Sequence, residues 1–226
     1  MNSLRTLDAI GTIAYVAGIQ FLPEKFAFAY GEMRSYNGQY LEKKDKFIYY
    51  DRVMSSWLPR ARNDLVKQMR GDWILMLDSD MTFDPDIAER MLFIMDKYQA
   101  PVLTGLYVQK KPPYFPVLYS WNEEKQVYQI VLSWQKDAEI IPVDAAGAGC
   151  LLVRKFVFNL IWEKLHEDPF TIIGNNSEDM SFFSRLRKIG IGVYCAPNIR
   201  CSHLSTKEID YDLSLFPGIH TTSYYR

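Results

Sequence analysis

Apolar and polar positions along the chain alternate between two periods. Residues 10–16 are a short β-rich run that stops at Gly18, and residues 23–36 carry apolar positions at helical spacing. Residues 46–51 (KFIYYD) read as a strand. Residues 59–70 read as a helix, with Pro59 suited to its first turn. Residues 73–77 (WILML) are continuously apolar, the pattern of a strand buried on both faces. Asp84 followed by Pro85 predicts an N-cap and a first-turn proline, ahead of Ile87, Met91, Met95 and Tyr98 at helical spacing. Residues 101–104 form one more short strand. This βαβαβαβ order predicts a parallel, doubly wound α/β sheet with ligands at the carboxyl ends of its strands.

The pattern changes after Leu106. Residues 116–121, 126–133 and 139–143 read as strands joined by polar turns. A βα unit returns at residues 149–153, followed by a helix carrying Val157, Leu160, Ile161 and Leu165. A last helix covers residues 178–188, with Met180, Phe183 and Leu186 inward. The residues after His203 are polar and aromatic without a clear period. No repeat or linker divides the chain, which predicts a single domain over 1–226. About 1–106 form one half, about 107–204 the other, and 205–226 a tail.

Composition narrows the partners. The 226 residues are 48% hydrophobic, far from a disordered composition, and 26 Lys+Arg balance 27 Asp+Glu, so the chain is no polycation built to track nucleic acid. Three cysteines without a CxxC pair read as reduced thiols in a cytoplasmic protein. The first residues lack the long apolar core of a signal peptide. No run approaches the roughly 20 apolar residues that span a bilayer.

The candidate chemistry begins where WILML ends, at Asp78-Ser79-Asp80. Two carboxylates about 4 Å apart repel by roughly 4 kcal/mol at an effective dielectric near 20, so a cation, a proton or hydrogen-bond donors must offset them. Hard oxygen ligands suit Mn²⁺ or Mg²⁺, which can stabilise a departing nucleoside diphosphate. The alternative is a plain turn with Asp78 and Asp80 solvated and Asp84 capping the next helix. Ser177-Glu178-Asp179 opens the last helix, where acids are favoured by the helix dipole; one of Glu178 and Asp179 is equally a candidate general base. His203 follows a short strand and would complete a mixed oxygen and nitrogen metal site with Asp80. Gly147 and Ala148, ahead of an apolar run, permit close approach of a ligand or mark a tight strand start. Arg60, Arg62 and Asn63 at a helix front are candidates for donor phosphate or base, or an ordinary helix end. Lys110 and Lys111 lie in a proline-bounded loop that reads as part of a lid or as an exposed basic loop.

The order of these segments resembles the GT-A fold glycosyltransferases, closest to the family-two type of bacteria and viruses. The resemblance covers roughly residues 10–204. It is carried by Ala61-Arg62-Asn63, by Asp78-Ser79-Asp80 with Met81 to Asp86, and by Gly105-Leu106-Tyr107. Asp144 with Gly147 to Val153, Ser177 to Phe183, and Ser202-His203-Leu204 complete it. It implies a Rossmann-like, three-layer α/β/α nucleotide-diphospho-sugar transferase fold with a smaller mixed sheet. It further implies metal-dependent transfer of a sugar from a nucleotide-sugar donor, a UDP-sugar favoured, to an acceptor hydroxyl. Asp80 and His203 would hold Mn²⁺ or Mg²⁺, and Asp78 the ribose or the metal shell. Ser79 would lie in the donor site, Ala17 and Gly18 would meet the nucleobase, and Gly147 and Ala148 would face the acceptor. Asp179, beside Glu178, would be the base of an inverting reaction. The acceptor is a glycan, lipid, protein or modified nucleic-acid base. Where many relatives have a Pro-Thr turn, this chain has Tyr15-Val16-Ala17-Gly18.

Three other readings compete. Asp78 to Thr82 (DSDMT) fits the first motif of haloacid-dehalogenase-like phosphatases, although two strand-like runs precede it here. A sugar nucleotidyltransferase would need a glycine-rich basic loop that is missing. A non-catalytic carbohydrate- or nucleotide-binding module would have no need of Asp80, Asp179 and His203.

Overall fold

A computed structural model describes residues 8–18, 21–43 and 46–204, and the backbone of 208–209. Its first half runs β1 (Asp8–Ala17), α1 (Glu24–Tyr40), β2 (Lys46–Met54), α2 (Leu58–Gln68), β3 (Trp73–Asp78), β4 (Met81–Thr82), α3 (Ile87–Lys97) and β5 (Val102–Leu106). The second half contributes β6 (Leu118–Asn122), β7 (Val127–Ile130), β8 (Ile141–Val143), β9 (Ala145–Ala146), β10 (Cys150–Arg154), α4 (Lys155–Leu165), α5 (Glu178–Ile189), β11 (Val193–Arg200), β12 (Ser202–Leu204) and β13 (Glu208–Ile209).

Seven strands form the main sheet in the order β2-β1-β3-β10-β5-β11-β8. The alternation of side chains along β3 shows why helices cover both faces. Ile74 and Met76 join one core with Ala61, Leu65 and Val66 of α2, Val157 and Ile161 of α4, and Phe182, Phe183 and Leu186 of α5. Trp73, Leu75 and Leu77 join the other core with Phe26 and Met33 of α1 and Ile87, Met91 and Met95 of α3. The result is the expected three-layer α/β/α arrangement. Two small sheets, β13-β12-β4 and β7-β6-β9, flank it.

The expected parallel, doubly wound sheet needs one correction, because the large sheet is itself mixed. β1, β2 and β3 are parallel, and β11 is parallel to β5, but β10 runs antiparallel between β3 and β5, and β8 runs antiparallel to β11. A strand buried on both faces is apolar in either direction, so residues 149–153 carried no directional signal. The halves of the chain share this sheet.

The start of α3 also differs from expectation. Asp84 and Pro85 lie in the preceding turn, Asp86 is the N-cap, and no side chain caps the helix. The Asp84 carboxylate pairs with Arg90 instead, at 3.1 Å. The readings of residues 1–7 and of most of the 205–226 tail fall outside the described residues. No described helix is long and apolar enough to cross a membrane.

Candidate active site

The site forms where β1 and β3 end side by side. Val16 pairs with Asp78, which sets Ala17 and Gly18 at the end of β1 beside Asp78-Ser79-Asp80 at the end of β3. Ala17 is buried, and its carbonyl accepts from Ser55 N at 3.3 Å. Gly18 is exposed. The chain turns through Ser79 and Asp80 into β4, and β4 pairs with β12 so that Met81 lies opposite His203. The Asp80 carbonyl accepts from Leu204 N at 2.7 Å. Two segments more than a hundred residues apart in sequence are thereby fixed to one another.

His203 has a defined orientation. Its Nδ1 lies 2.8 Å from the Val108 carbonyl, which can only accept, so Nδ1 carries a hydrogen and donates it. Nε2 is left facing Asp80 Oδ1 at 3.7 Å, beyond direct hydrogen-bonding distance. Asp80 Oδ1 is buried and has no hydrogen-bond partner, whereas Oδ2 accepts from Lys110. Tyr107 packs its ring edge-on to His203, with centroids 5.6 Å apart.

Asp78 lies in a different setting. Its Oδ1 accepts from an Arg62 terminal nitrogen at 2.7 Å, while Arg62 Nε reaches Glu178 Oε1 at 3.3 Å and a second terminal nitrogen reaches the Ala148 carbonyl at 3.3 Å. Arg62 is only 2% exposed. Burial opposes its charge, but Asp78, Glu178 and Asp179 outweigh burial and raise its pKa above the ordinary value. The helix front therefore divides. Arg62 turns inward onto carboxylates rather than outward to a donor phosphate. Arg60 is exposed beside Asp64, and Asn63 accepts from Phe170 N at 2.8 Å.

Gly147 and Ala148 do not offer an open surface. Both are buried. A Cβ on Gly147 would sit 1.9 Å from the Tyr107 hydroxyl oxygen, and one on Gly149 would meet Tyr107 at 3.0 Å and Asp78 Oδ2 at 3.3 Å. The small residues admit the Tyr107 ring, whose hydroxyl oxygen accepts from Gly149 N at 3.0 Å. Burial, then the charge of Asp78, pushes the Tyr107 hydroxyl well above its usual pKa, so it stays neutral. This is the packing that the tight-start alternative expects at Gly147.

α5 brings the last carboxylates to the cleft. Ser177 is its N-cap, its side chain accepting from Met180 N. Glu178 is committed to Arg62, with a side chain 12% exposed. Asp179 uses Oδ1 to accept from Met180 N at 2.7 Å and from the Ser177 hydroxyl. Its charge raises the hydroxyl pKa of Tyr107 and Tyr119, though less than burial does, so it acts on the same cleft. The loop leading into α5 is held by buried Arg185, which donates to Glu167 at 2.6 Å and to the Thr171 carbonyl at 2.6 Å.

Sequence reasoning assigned no role to Tyr107 or Val108 and missed the bridging position of Arg62. The Arg62 signal was present. It stands on the same helix stripe as Ala61, Leu65 and Val66, and a charge on an apolar stripe implies a buried partner. Val108 left no such mark, because a carbonyl contact depends on backbone position alone, and Tyr107, although part of the family pattern, gave no hint that its ring and hydroxyl would meet His203 and Gly149.

The sequence model of the family described as "Glycosyl transferase family 2" matches residues 32–158. No curated protein matches the chain by sequence. Among solved structures, the chain is similar to the one titled "Crystal Structure of A197 from STIV", with a TM-score of 0.57 at 16% identity over 89% of this chain and 94% of that one. It is also similar to GalNAc-T7, solved with UDP, GalNAc and Mn²⁺, with a TM-score of 0.57 at 11% identity over 88% of this chain. It spans 43% of the GalNAc-T7 chain. At these identities the likeness bears on the fold, which is GT-A. The family match covers more than half of the 226 residues, and the chain belongs to glycosyl transferase family 2.

Proposed function

We propose that this glycosyltransferase moves a sugar from a nucleoside-diphosphate sugar, a UDP-sugar in the first instance, to an acceptor hydroxyl with the help of a divalent cation. One observation carries the reading: Asp80 Oδ1 is buried without a partner, 3.7 Å from a His203 nitrogen whose ring is already oriented. An orphaned carboxylate oxygen disfavours a purely structural role. Two atoms at that separation do not hydrogen-bond, and Asp80 and His203 would be the residues that hold a divalent cation. The pair of hard oxygen and imidazole nitrogen suits Mn²⁺ or Mg²⁺. Among the described residues no group of three metal-binding side chains forms a cage. Donor phosphates and water would complete the shell, and GalNAc-T7 is a GT-A neighbour solved with UDP and Mn²⁺.

When bound, the cation supplies Lewis-acid stabilisation of the departing diphosphate. Everything else falls to the chain. Arg62 holds Asp78 in place beside the β1 end, where Ala17 and Gly18 meet the base and ribose. Glu178, spent on Arg62, positions that bridge. Asp179 has Oδ1 fixed by the helix N-terminus, which leaves Oδ2 to take the acceptor proton as the hydroxyl oxygen attacks the anomeric carbon. Family membership and the Arg62 bridge both favour this over the phosphatase reading, because a carboxylate clamped by a buried guanidinium is a poor nucleophile.

The test is a thermal-shift titration with UDP, GDP, CDP and dTDP, each with and without Mn²⁺. A ligand at 100 times its dissociation constant stabilises the folded state by about 2.7 kcal/mol. Metal-dependent stabilisation by one nucleotide is expected for the native chain and is expected to vanish in His203→Ala. Equal stabilisation with and without Mn²⁺ would remove the metal from the mechanism.

A further inference from the structure

We propose that Lys110 is a counter-ion built into the donor site: its ammonium holds Asp80 until a divalent cation binds, yields to that cation, and then binds the donor diphosphate. The inference rests on the Asp80–His203 metal reading above.

The two oxygens of Asp80 have unequal surroundings. Oδ1 is buried, unpartnered and turned to His203, whereas Oδ2 holds Lys110 Nζ. Lys110 stands near the tip of a small hairpin. Val117 N donates to Tyr107 O at 3.1 Å, Gln109 N donates to Phe115 O at 3.0 Å, and Tyr114 N closes the tip on Lys111 O at 3.0 Å. The stem of this hairpin also supplies the Val108 carbonyl that orients His203. One short segment thus sets the imidazole and the ammonium on either side of a single carboxylate.

A divalent cation on Asp80 would stand within a few ångströms of that ammonium, and like charges at such a distance repel. Lys110 must then leave Oδ2. Its backbone is pinned, but the lysine stem is long and 41% of the side chain is exposed. An open cleft of about 440 Å³ is lined by Tyr107, Lys110 and His203 together, so the ammonium can swing into it without any backbone shift. A diphosphate on the cation is the anion that would meet it there. Two charges that compete for one carboxylate would then cooperate on one diphosphate.

Mn²⁺ binding to the free protein, followed through the EPR signal of the unbound ion, separates the two states. UDP affinity at saturating Mn²⁺ then follows by calorimetry. Lys110→Met is expected to bind Mn²⁺ alone about two- to fivefold more tightly, the range of a part-exposed ion pair. The same variant is expected to bind UDP at least about tenfold more weakly once Mn²⁺ is present. Lys125→Met, which removes an exposed charge outside the cleft, should stay within about twofold of the native chain in both measurements. The proposal is overturned if Lys110→Met leaves either affinity unchanged, weakens Mn²⁺ binding, or is matched by Lys125→Met. Asp80→Asn distinguishes the levels: loss of Mn²⁺ binding there, with Lys110→Met unchanged, sinks the Lys110 role alone. Native-like Mn²⁺ binding by Asp80→Asn sinks the metal reading and this proposal together.

Discussion

Arg62 and Asp78 are joined at 2.7 Å by a guanidinium that is almost wholly buried, so the first aspartate of the DSD turn is held from inside the protein rather than by a ligand. The same guanidinium reaches Glu178, 116 residues further along the chain. One side chain thereby fixes the β3 turn relative to the start of α5. Removing it strands two carboxylates around an emptied pocket. Arg62→Met is expected to cost about 3–5 kcal/mol in urea unfolding. A loss below about 1 kcal/mol would mean that the bridge contributes only orientation.

Asp179 differs from Glu178 in having an oxygen left over. Asp179→Asn keeps an acceptor for Met180 N and preserves the helix start, so folding and UDP binding should hold. Transfer should fall by about 10²- to 10⁴-fold, the span of general-base catalysis. Initial-rate assays with matched calorimetric titrations check both halves. Transfer at near-native rates by this variant would assign the proton to another group.

Gly147 and Tyr107 occupy space that neither can share with a larger neighbour. Gly147→Ala puts a methyl 1.9 Å from the Tyr107 hydroxyl oxygen, and a cost of about 1–3 kcal/mol follows from overpacking. Tyr107→Phe by itself loses the acceptor for Gly149 N, at about 1 kcal/mol. The double variant should be less destabilised than the sum of the two, because the clashing atom has gone. Simple additivity in a double-mutant cycle would contradict this packing.

Cys150, Cys195 and Cys201 are all buried thiols. Burial pushes the Cys195 thiol well above its ordinary pKa, which further suppresses the reactive thiolate. A chromogenic disulfide reagent should therefore label none of the three rapidly at neutral pH in the folded protein, and all three after denaturation. Rapid native labelling of one would show local opening at that strand.

The sequence alone determined what short-range pattern can encode. Alternating apolar runs and helical stripes placed almost every element of the main sheet, and the DSD turn after WILML marked the candidate site. Local rules settled these because periodicity and turn chemistry act over a few residues. The tertiary structure decided what depends on distance across the chain. The direction of β10 is one case, since a doubly buried strand looks the same either way. Another is the inward turn of Arg62, which burial permits only because Asp78 and Glu178 converge on it. Gly147 is a packing position because Tyr107, forty residues earlier, fills the space before it. His203 meets Asp80 only because β12 pairs with β4. Each of these is set by the meeting of remote segments in a desolvated interior, where unpaired charge and steric overlap are costly enough to select one arrangement.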